Sequence, residues 1–138
     1  MTNNDVISWC RTQFPEHLSL LKKLAAIPAP SHHEDLRAEF IKNWLIENGA
    51  ETVTIDCAKN VILPLGDSQK PMMVVMAHMD MVFPDNDSLP VREENGILYA
   101  PGVGDDTANV TALMLCAKFF LMHPHLIPEP LMIVFNSC

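Results

Sequence analysis

The sequence predicts an α/β protein in which helices flank a sheet, and three observations carry this prediction. Apolar residues recur at helical spacing over 4–27, 31–49 and 106–122. The stretches between them are short apolar or alternating runs bounded by proline and glycine, which is typical of strands. The final succession of strand 72–78, helix 106–122 and strand 131–137 predicts a parallel βαβ crossover, a connection that is right-handed in nearly all proteins.

The first helical stretch, 4–27, carries Leu18, Leu21 and Ala25 on one face, and its pattern is interrupted at Phe14-Pro15. A break is expected there because proline lacks the backbone N–H and clashes with the preceding turn. The two prolines of IPAPS then end the stretch.

The second helix is predicted to begin after Ser31. Ser31 serves as the expected N-cap, and Glu34 three residues later completes a capping-box pattern. Leu36, Phe40 and Trp44 recur at every fourth position and are predicted to form the apolar face. The sequence ENG, with its glycine, marks the end of the helix.

The remaining elements follow from local patterning. TVTIDC alternates and predicts a half-buried strand, and NVILPL predicts a second short strand that ends near Pro64. MMVVMAH and LMIVFNS are almost continuously apolar, so they are predicted as buried strands, the first of them covered on both faces. A turn is expected at Glu94-Asn95-Gly96. The last helix presents five apolar residues at helical spacing, namely Val110, Leu113, Met114, Ala117 and Leu121.

Length, charge and cysteine usage narrow the classes of function. The 138 residues correspond to one domain, with 9 basic and 17 acidic residues and a net charge of −8. No basic cluster occurs, which argues against nucleic acid or an anionic membrane as partner. Neither a signal-peptide pattern nor a long enough apolar run is present, so a cytoplasmic protein is predicted. The four cysteines lack CxxC spacing, which argues against a zinc ribbon.

Two polar side chains, His78 and Asp80, interrupt the apolar run VVMAHMDMVF. Residues two apart in a strand point to the same side, and ligands of open α/β sheets bind at the carboxyl ends of strands. A histidine can bind a metal through one ring nitrogen while a carboxylate accepts a hydrogen bond from the other. On its own the pattern is a weak signal, since a His–Asp pair at a strand end also arises by chance.

A second polar cluster, Asp105-Asp106, stands in APGVGDDTANV at the start of the last predicted helix. Aspartate at a helix N-terminus is explained by the helix dipole and the unsatisfied N–H groups alone. The functional alternative is that one carboxylate leaves the helix end to bind metal, as in two-metal hydrolases.

Taken together, AHMDMVF and LYAPGVGDDTAN resemble the dinuclear zinc hydrolase family that contains aminoacylase, succinyl-diaminopimelate desuccinylase, acetylornithine deacetylase, peptidase T and glutamate-releasing carboxypeptidases. IPAPSHHE and KNVIL are similar to two further segments of that family, so the resemblance covers nearly the whole chain. It implies a three-layer sheet with flanking helices of the zinc-exopeptidase type. It also implies two zinc ions, with cobalt or manganese as alternatives, and hydrolysis of an amide bond in a small peptide or an N-acyl amino acid.

The resemblance implies roles for four residues. His78 would ligate one metal, and Asp80 would be the catalytic-site carboxylate that orients the His78 ring. Asp105 would bridge the two metals. Asp106 would be its neighbour, with a cis peptide bond between the two aspartates.

The sequence departs from the family in two places. Thr107-Ala108 stand where the family commonly has Lys-Gly, which removes no ligand. The family has a Glu-Glu pair after a strand like LMIVFNS, supplying the general base and a metal ligand, whereas this sequence ends at Cys138. The later Asp or Glu ligand, the distant His ligand and the lid domain lie beyond that point in the family. Residues 1–138 are therefore predicted to be the N-terminal portion of a catalytic domain.

Two hypotheses of different classes stay open. In the first, the full-length protein is a metallopeptidase or deacylase, and these 138 residues are inactive alone. In the second, the chain is a non-catalytic truncated product or a fragment that forms a homodimer. The second rests on two points: His78 and Asp105 fall short of the three to four ligands of a zinc site, and the final apolar strand would offer an unpaired edge.

Overall fold

The computed structural model describes residues 1–66, 72–84, 87–127 and 129–137. Its helices are α1 (Asn3–Ala25), α2 (Asp35–Glu47) and α3 (Ala108–Met122), with a short 3₁₀ turn at Pro124–Leu126. Its strands are β1 (Thr54–Ile55), β2 (Val61–Leu65), β3 (Met73–His78), β4 (Arg92–Glu94), β5 (Ile97–Tyr99) and β6 (Leu131–Asn136). Cys138, the last residue of the sequence, lies outside the described residues.

Four of the strands form one mixed sheet in the order β1-β2-β6-β3. Strand β6 pairs antiparallel with β2 and parallel with β3. Helix α3 lies between β3 and β6 in the chain, so the parallel βαβ unit predicted from the sequence is confirmed. The α/β class is confirmed with it.

The sheet buries one face against the helices. The register places Leu63, Ile133 and Val75 side by side across β2, β6 and β3. The side chains of β2 and β6 that point to the same face as Leu63 and Ile133 form one apolar core with buried residues of all three helices. These helix residues include Leu24, Ile41 and Met114.

Helix α1 passes through Pro15 without ending, so the predicted interruption at Phe14-Pro15 is wrong. Contacts with α3 hold the helix on both sides of the proline. The Trp9 and Phe119 rings are 5.0 Å apart before it, and the His17 ring contacts the Thr111 hydroxyl at 2.9 Å after it. Tertiary packing therefore outweighs the missing backbone hydrogen bond.

Helix α2 buries a different face from the predicted one. Ala38, Ile41 and Leu45 are buried, whereas Leu36 is 63% exposed. The four-residue spacing of the predicted face drifts around a helix with 3.6 residues per turn, while the spacing of the buried residues follows the helix more closely. Phe40 and Trp44 of the predicted face are partly buried against the core, so the buried face is displaced around the helix from the predicted one and overlaps it in part.

The predicted capping box of α2 is also absent. The helix begins at Asp35 with Glu34 at the N-cap position, and no side chain caps it. Glu34 is buried and accepts a hydrogen bond from the backbone N–H of His32. Ser31 is thereby free of the helix and lies at the candidate site described below.

Strand β3 is an edge strand, and its first four residues, Met73–Met76, are 40–59% exposed. The prediction that this run is covered on both faces is therefore wrong. Strand β6, by contrast, lies between two partners, so the prediction of an unpaired edge at the final strand is wrong as well. Both runs are equally apolar, and only the pairing order distinguishes them.

The strand predicted over TVTIDC is present only at Thr54–Ile55. On α1, Ala25 of the predicted face is buried, whereas Leu18 and Leu21 are half-buried and Leu20 and Leu24 are buried instead.

The predicted turn and the predicted face of α3 agree with the structure. The turn at Asn95-Gly96 joins β4 and β5 into a hairpin, and both residues have positive φ, as a tight two-residue hairpin turn requires. Four of the five predicted core residues of α3 are buried, namely Val110, Leu113, Met114 and Ala117.

Candidate metal centre

His78 is the last residue of β3, at the carboxyl end of the sheet. The chain then leaves the sheet along the segment that precedes α2. Met79 N–H still donates to Asn136 O at 2.8 Å, but Met81 N–H donates to Ala29 O at 2.8 Å. This change of partner carries Asp80 away from β6 and towards the IPAPS segment.

His78 and Asp80 face each other as predicted. His78 Nδ1 lies 3.0 Å from Asp80 Oδ1, and Asp80 Oδ2 accepts a hydrogen bond of 2.8 Å from Ser31 Oγ. The Asp80 side chain is 14% exposed. Since a carboxylate can only accept, His78 Nδ1 carries a proton in this contact.

The Asp-rich segment forms a wide turn ahead of α3. Residues Val103–Thr107 make π-type hydrogen bonds, with Thr107 N–H donating to Gly102 O at 3.3 Å. Asp105 and Asp106 have non-helical backbone angles. The peptide bond between them is cis, as the family resemblance implied. Single π-type turns are frequent at functional sites.

This turn brings both aspartates to His78. Asp105 Oδ1 lies 3.1 Å from His78 Nε2, and the Asp105 side chain is 92% exposed. Asp106 accepts a hydrogen bond of 3.3 Å from the backbone N–H of His78 and another from the Asn109 side chain. All four residues predicted for the site thus lie together, with Asp105 on the open side and Asp106 turned towards the backbone.

The carboxylates set the charge of the imidazole. Burial lowers the pKa of His78, but hydrogen bonds to Asp105 and Asp80, together with the negative charges of Asp80 and Asp106, raise it by more. The net shift is upward, so this environment favours a positive charge at the ring. The same environment favours a cation beside the ring.

The donor atoms suit a divalent metal. Two ligand atoms of one tetrahedral zinc ion lie about 3.3 Å apart, given metal–ligand bonds of about 2.0 Å, and His78 Nε2 and Asp105 Oδ1 are 3.1 Å apart. Imidazole nitrogen and carboxylate oxygen are both zinc ligands. Within the described ranges, however, no group of three or more His, Cys, Asp or Glu side chains could hold a metal ion. The described residues therefore fit part of a zinc site.

An open cleft of about 390 Å³ adjoins these donors. His78, Asp80 and Asp105 line it on one side, and Val82 and Phe83 line it on another. A small ligand in this cleft would lie beside the side chains of His78, Asp80 and Asp105. Its apolar wall would suit an aliphatic or aromatic group.

Sequence reasoning missed two residues of this region. Ser31 was interpreted as a helix cap, and Arg37 was not singled out. Arg37 is fully buried beneath the site, where Nη1 donates to Met79 O at 2.9 Å and to Thr107 Oγ1 at 3.2 Å. Burial lowers the pKa of Arg37 to about 10, although the charge of Asp80 opposes this shift. An arginine in a helix is ordinarily predicted to be exposed, so the sequence does not indicate that Arg37 is buried.

His32 and His33 are exposed. His123 packs its ring against Phe119 at 4.9 Å and against His125 at 6.0 Å. Neither of these ring contacts involves His78, Asp80, Asp105 or Asp106.

Comparison with known proteins agrees with this geometry. Residues 74–138, which contain β3, the π-type turn, α3 and β6, match the model of Peptidase family M20/M25/M40. The chain is therefore similar to this family over 65 of its 138 residues. The matched region includes every residue that the sequence predicted for the site.

Curated relatives extend the similarity. The chain is 33% identical over 99 residues to a putative [LysW]-lysine/[LysW]-ornithine hydrolase of Pyrococcus abyssi, over 72% of this chain and 28% of that protein. It is 34% identical over 67 residues to the cytosol non-specific dipeptidase of Escherichia coli, over 46% of this chain and 14% of that protein. The chain thus spans about a quarter or less of the length of these relatives.

Solved structures share the fold. Human carnosine dipeptidase 1 matches 96% of this chain and 34% of its own, with a TM-score of 0.76 and 18% identity. An M20 family metallo-carboxypeptidase of Sulfolobus solfataricus matches 88% of this chain and 30% of its own, with a TM-score of 0.68 and 18% identity. None of the helices in the described part of the chain has the length and apolarity that crossing a membrane requires.

Proposed function

We propose that residues 1–138 are the N-terminal portion of a metal-dependent hydrolase that cleaves an amide bond in a small peptide or an N-acyl amino acid. The observation that carries this proposal is the contact of His78 Nε2 with Asp105 Oδ1 at 3.1 Å, with Asp80 behind the ring. The similarity of residues 74–138 to Peptidase family M20/M25/M40 supports the reaction class. The names of the relatives, a hydrolase and a dipeptidase, support small amino-acid amides as substrates.

In this proposal His78, Asp80, Asp105 and Asp106 have different roles. His78 Nε2 and Asp105 hold zinc, with cobalt or manganese as alternatives. Asp80 holds the proton on His78 Nδ1, which fixes the tautomer and leaves Nε2 free to bind. Asp106, bonded to the His78 backbone and to Asn109, keeps the turn against the end of β3.

The bound metal would supply Lewis acidity, polarising the scissile carbonyl and activating water. The chain's own residues supply binding and orientation. The apolar side of the 390 Å³ cleft, with Val82 and Phe83, is the proposed contact surface for a substrate side chain. The described residues contribute two direct metal ligands, so we propose that this chain is inactive alone and that further ligands come from additional residues.

The proposal is tested on the polypeptide encoded by the complete reading frame, read past codon 138. With added Zn²⁺, this protein should hydrolyse members of a panel of dipeptides and N-acetyl amino acids. Replacement of His78 by Gln should lower kcat/KM by at least about a hundredfold, the lower end of the effect of removing one group that stabilises transition-state charge. A matched His33→Gln variant should retain activity. Equal hydrolysis by the His78→Gln variant would refute the proposal.

A second candidate function is favoured by one observation, the exposed apolar edge of β3. Met73–Met76 leave an unpaired backbone edge beside exposed apolar side chains, a surface that favours strand pairing between chains. In this alternative the chain is a non-catalytic product that forms a homodimer. A stop codon directly after codon 138 would favour it, whereas an in-frame continuation with a Glu-Glu pair would favour the hydrolase.

The proposed compartment is the cytoplasm. The printed name of the Escherichia coli relative, a cytosol dipeptidase, supports this placement. Fractionation of cells that express a tagged complete chain tests it, and recovery in the membrane or secreted fraction would contradict it.

A further inference from the structure

We propose that Arg37 is a positioning residue that holds the two segments of the candidate metal centre in register. The inference rests on the proposed function, since it assigns to Arg37 the placement of the residues that would bind the metal. It concerns a side chain that lies beneath the site and contacts neither cleft nor substrate.

The position of Arg37 is unusual for a charged side chain. It is 0% exposed, on the core-facing side of α2. Arginine is almost never fully buried without compensating partners. Asp80 acts on it through space, but no carboxylate lies within ion-pair distance of its guanidinium in the part of the chain that the structure describes. Its partners are instead backbone and neutral side-chain atoms.

Those partners come from three separate segments. Nε donates to Ile27 O at 2.9 Å, which ties the guanidinium to the end of the α1 segment. Nη1 donates to Met79 O at 2.9 Å and to Thr107 Oγ1 at 3.2 Å. Nη2 lies 3.1 Å from Met81 Sδ. One planar group thus satisfies acceptors on every segment that meets below the site.

Two of these partners are adjacent to site residues. Met79 stands between His78 and Asp80, and Thr107 follows Asp106. A fixed Met79 carbonyl fixes the plane of the Met79–Asp80 peptide group, which lies between the two side chains. A fixed Thr107 hydroxyl fixes the start of α3, and therefore the turn that presents Asp105 to the imidazole.

Arginine suits this task better than lysine. Its donors form a rigid planar fork, whereas lysine offers one ammonium group on a flexible stem. A lysine at position 37 could reach one or two of the three segments. An apolar residue of similar length would fill the space but would leave Met79 O and Thr107 Oγ1 without their donor.

The test uses the metal-free 138-residue chain with the variants Arg37→Met, Arg37→Lys and Thr107→Val. Arg11→Met, at an exposed position of α1, is the matched control. The readout is the imidazole ¹H–¹⁵N spectrum at one fixed pH, with the His78 signals assigned from their loss in His78→Gln. Hydrogen exchange of the Met81, Thr107 and Ile133 amides is measured in parallel.

In Arg37→Met the His78 signals should move away from their wild-type positions. The Met81 and Thr107 amides should exchange about tenfold faster relative to Ile133, which lies in the central strand β6 and reports global stability. Arg37→Lys should restore part of both effects. Thr107→Val should accelerate the Thr107 amide more than the Met81 amide, and Arg11→Met should match the wild type.

A purely structural role would accelerate all three amides equally and leave the His78 signals in place, which would overturn the proposal. If Arg37→Met does not fold, wild-type His78 signals in both Arg37→Lys and Thr107→Val would overturn it in the same way. Because no metal or substrate is present, a failure of the proposed hydrolase activity leaves these readouts unchanged. The two proposals can therefore fail separately.

Discussion

Ser31 Oγ donates a hydrogen bond of 2.8 Å to Asp80 Oδ2, across 49 residues of sequence. The other oxygen of the same carboxylate faces His78 Nδ1. Ser31 thereby orients the Asp80 carboxylate. Asp80 in turn orients the His78 imidazole, so the three side chains form a hydrogen-bonded chain. The parallel bridge between Pro30 and Met81 brings the two segments together.

Loss of this hydrogen bond should weaken metal binding moderately. Asp80→Asn should lower zinc affinity about 10–100-fold, the usual effect of removing a carboxylate behind a metal-binding histidine. Ser31→Ala should lower it about fivefold, equivalent to a net hydrogen bond of about 1 kcal/mol. Competition with a chromophoric zinc chelator measures both values. A larger effect of Ser31→Ala than of Asp80→Asn would contradict this order.

Gly102 should tolerate no side chain. It has φ +64°, and a Cβ placed on it would lie 2.7 Å from Met81 Sδ and 2.8 Å from Met81 Cγ. We expect Gly102→Ala to lower the free energy of unfolding by about 2–4 kcal/mol, from left-handed backbone strain together with overpacking. Gly104→Ala is the matched control because a Cβ there meets nothing within 4 Å. Urea unfolding of the two variants checks the difference, and equal values would show that the contact with Met81 does not matter.

Pro15 should destabilise the exposed side of α1. The helix continues through it, so the only local consequences are a lost backbone hydrogen bond and a steric clash with the preceding turn. Pro15→Ala is expected to raise the free energy of unfolding by about 1–3 kcal/mol. Ser19→Ala, at an exposed position of the same helix, should change it by at most about 0.5 kcal/mol. Chemical denaturation followed by circular dichroism tests the pair, and a destabilised Pro15→Ala would mean that the proline is required for packing.

The edge of β3 should govern self-association. Val74 and Met76 are 52% and 58% exposed on the face that the helices leave open. A lysine at either position should raise the dimer dissociation constant at least about tenfold, because edge charges oppose strand pairing. Val82→Lys is the control, since Val82 is 88% exposed but lies outside the sheet. Sedimentation velocity over a concentration series measures this, and unchanged association of Val74→Lys would exclude β3 as the contact.

Much of the fold follows from the sequence because the relevant signals are local. Patterns within a few residues of sequence are enough to predict the apolar runs of the strands, the Asn95-Gly96 turn and the apolar face of α3. The errors concern features that only tertiary structure decides. Met73–Met76 and the residues of β6 are similarly apolar, and whether such a run is central or at an edge depends on the order of strands in the sheet.

The same distinction between local patterns and tertiary contacts applies to the residues of the candidate site. His78, Asp80, Asp105 and Asp106 were found because their spacing resembles a family pattern, and the structure brings them together. Ser31 resembled a helix cap, since a serine three residues before a glutamate carries that local signal. Only the long-range pairing near Pro30 shows that its hydroxyl faces Asp80 instead.

The binding of a divalent metal by His78 and Asp105 is tested most directly by calorimetric titration of the 138-residue chain with Zn²⁺ at neutral pH. We predict one weak site, with a dissociation constant of about 10 µM or higher, since two protein ligands fall short of the usual three to four. His78→Gln should abolish the heat of binding and Asp105→Asn should weaken it at least about tenfold, while His33→Gln should leave it unchanged. Zinc binding of wild-type strength in His78→Gln would contradict the assignment of His78 as a metal ligand.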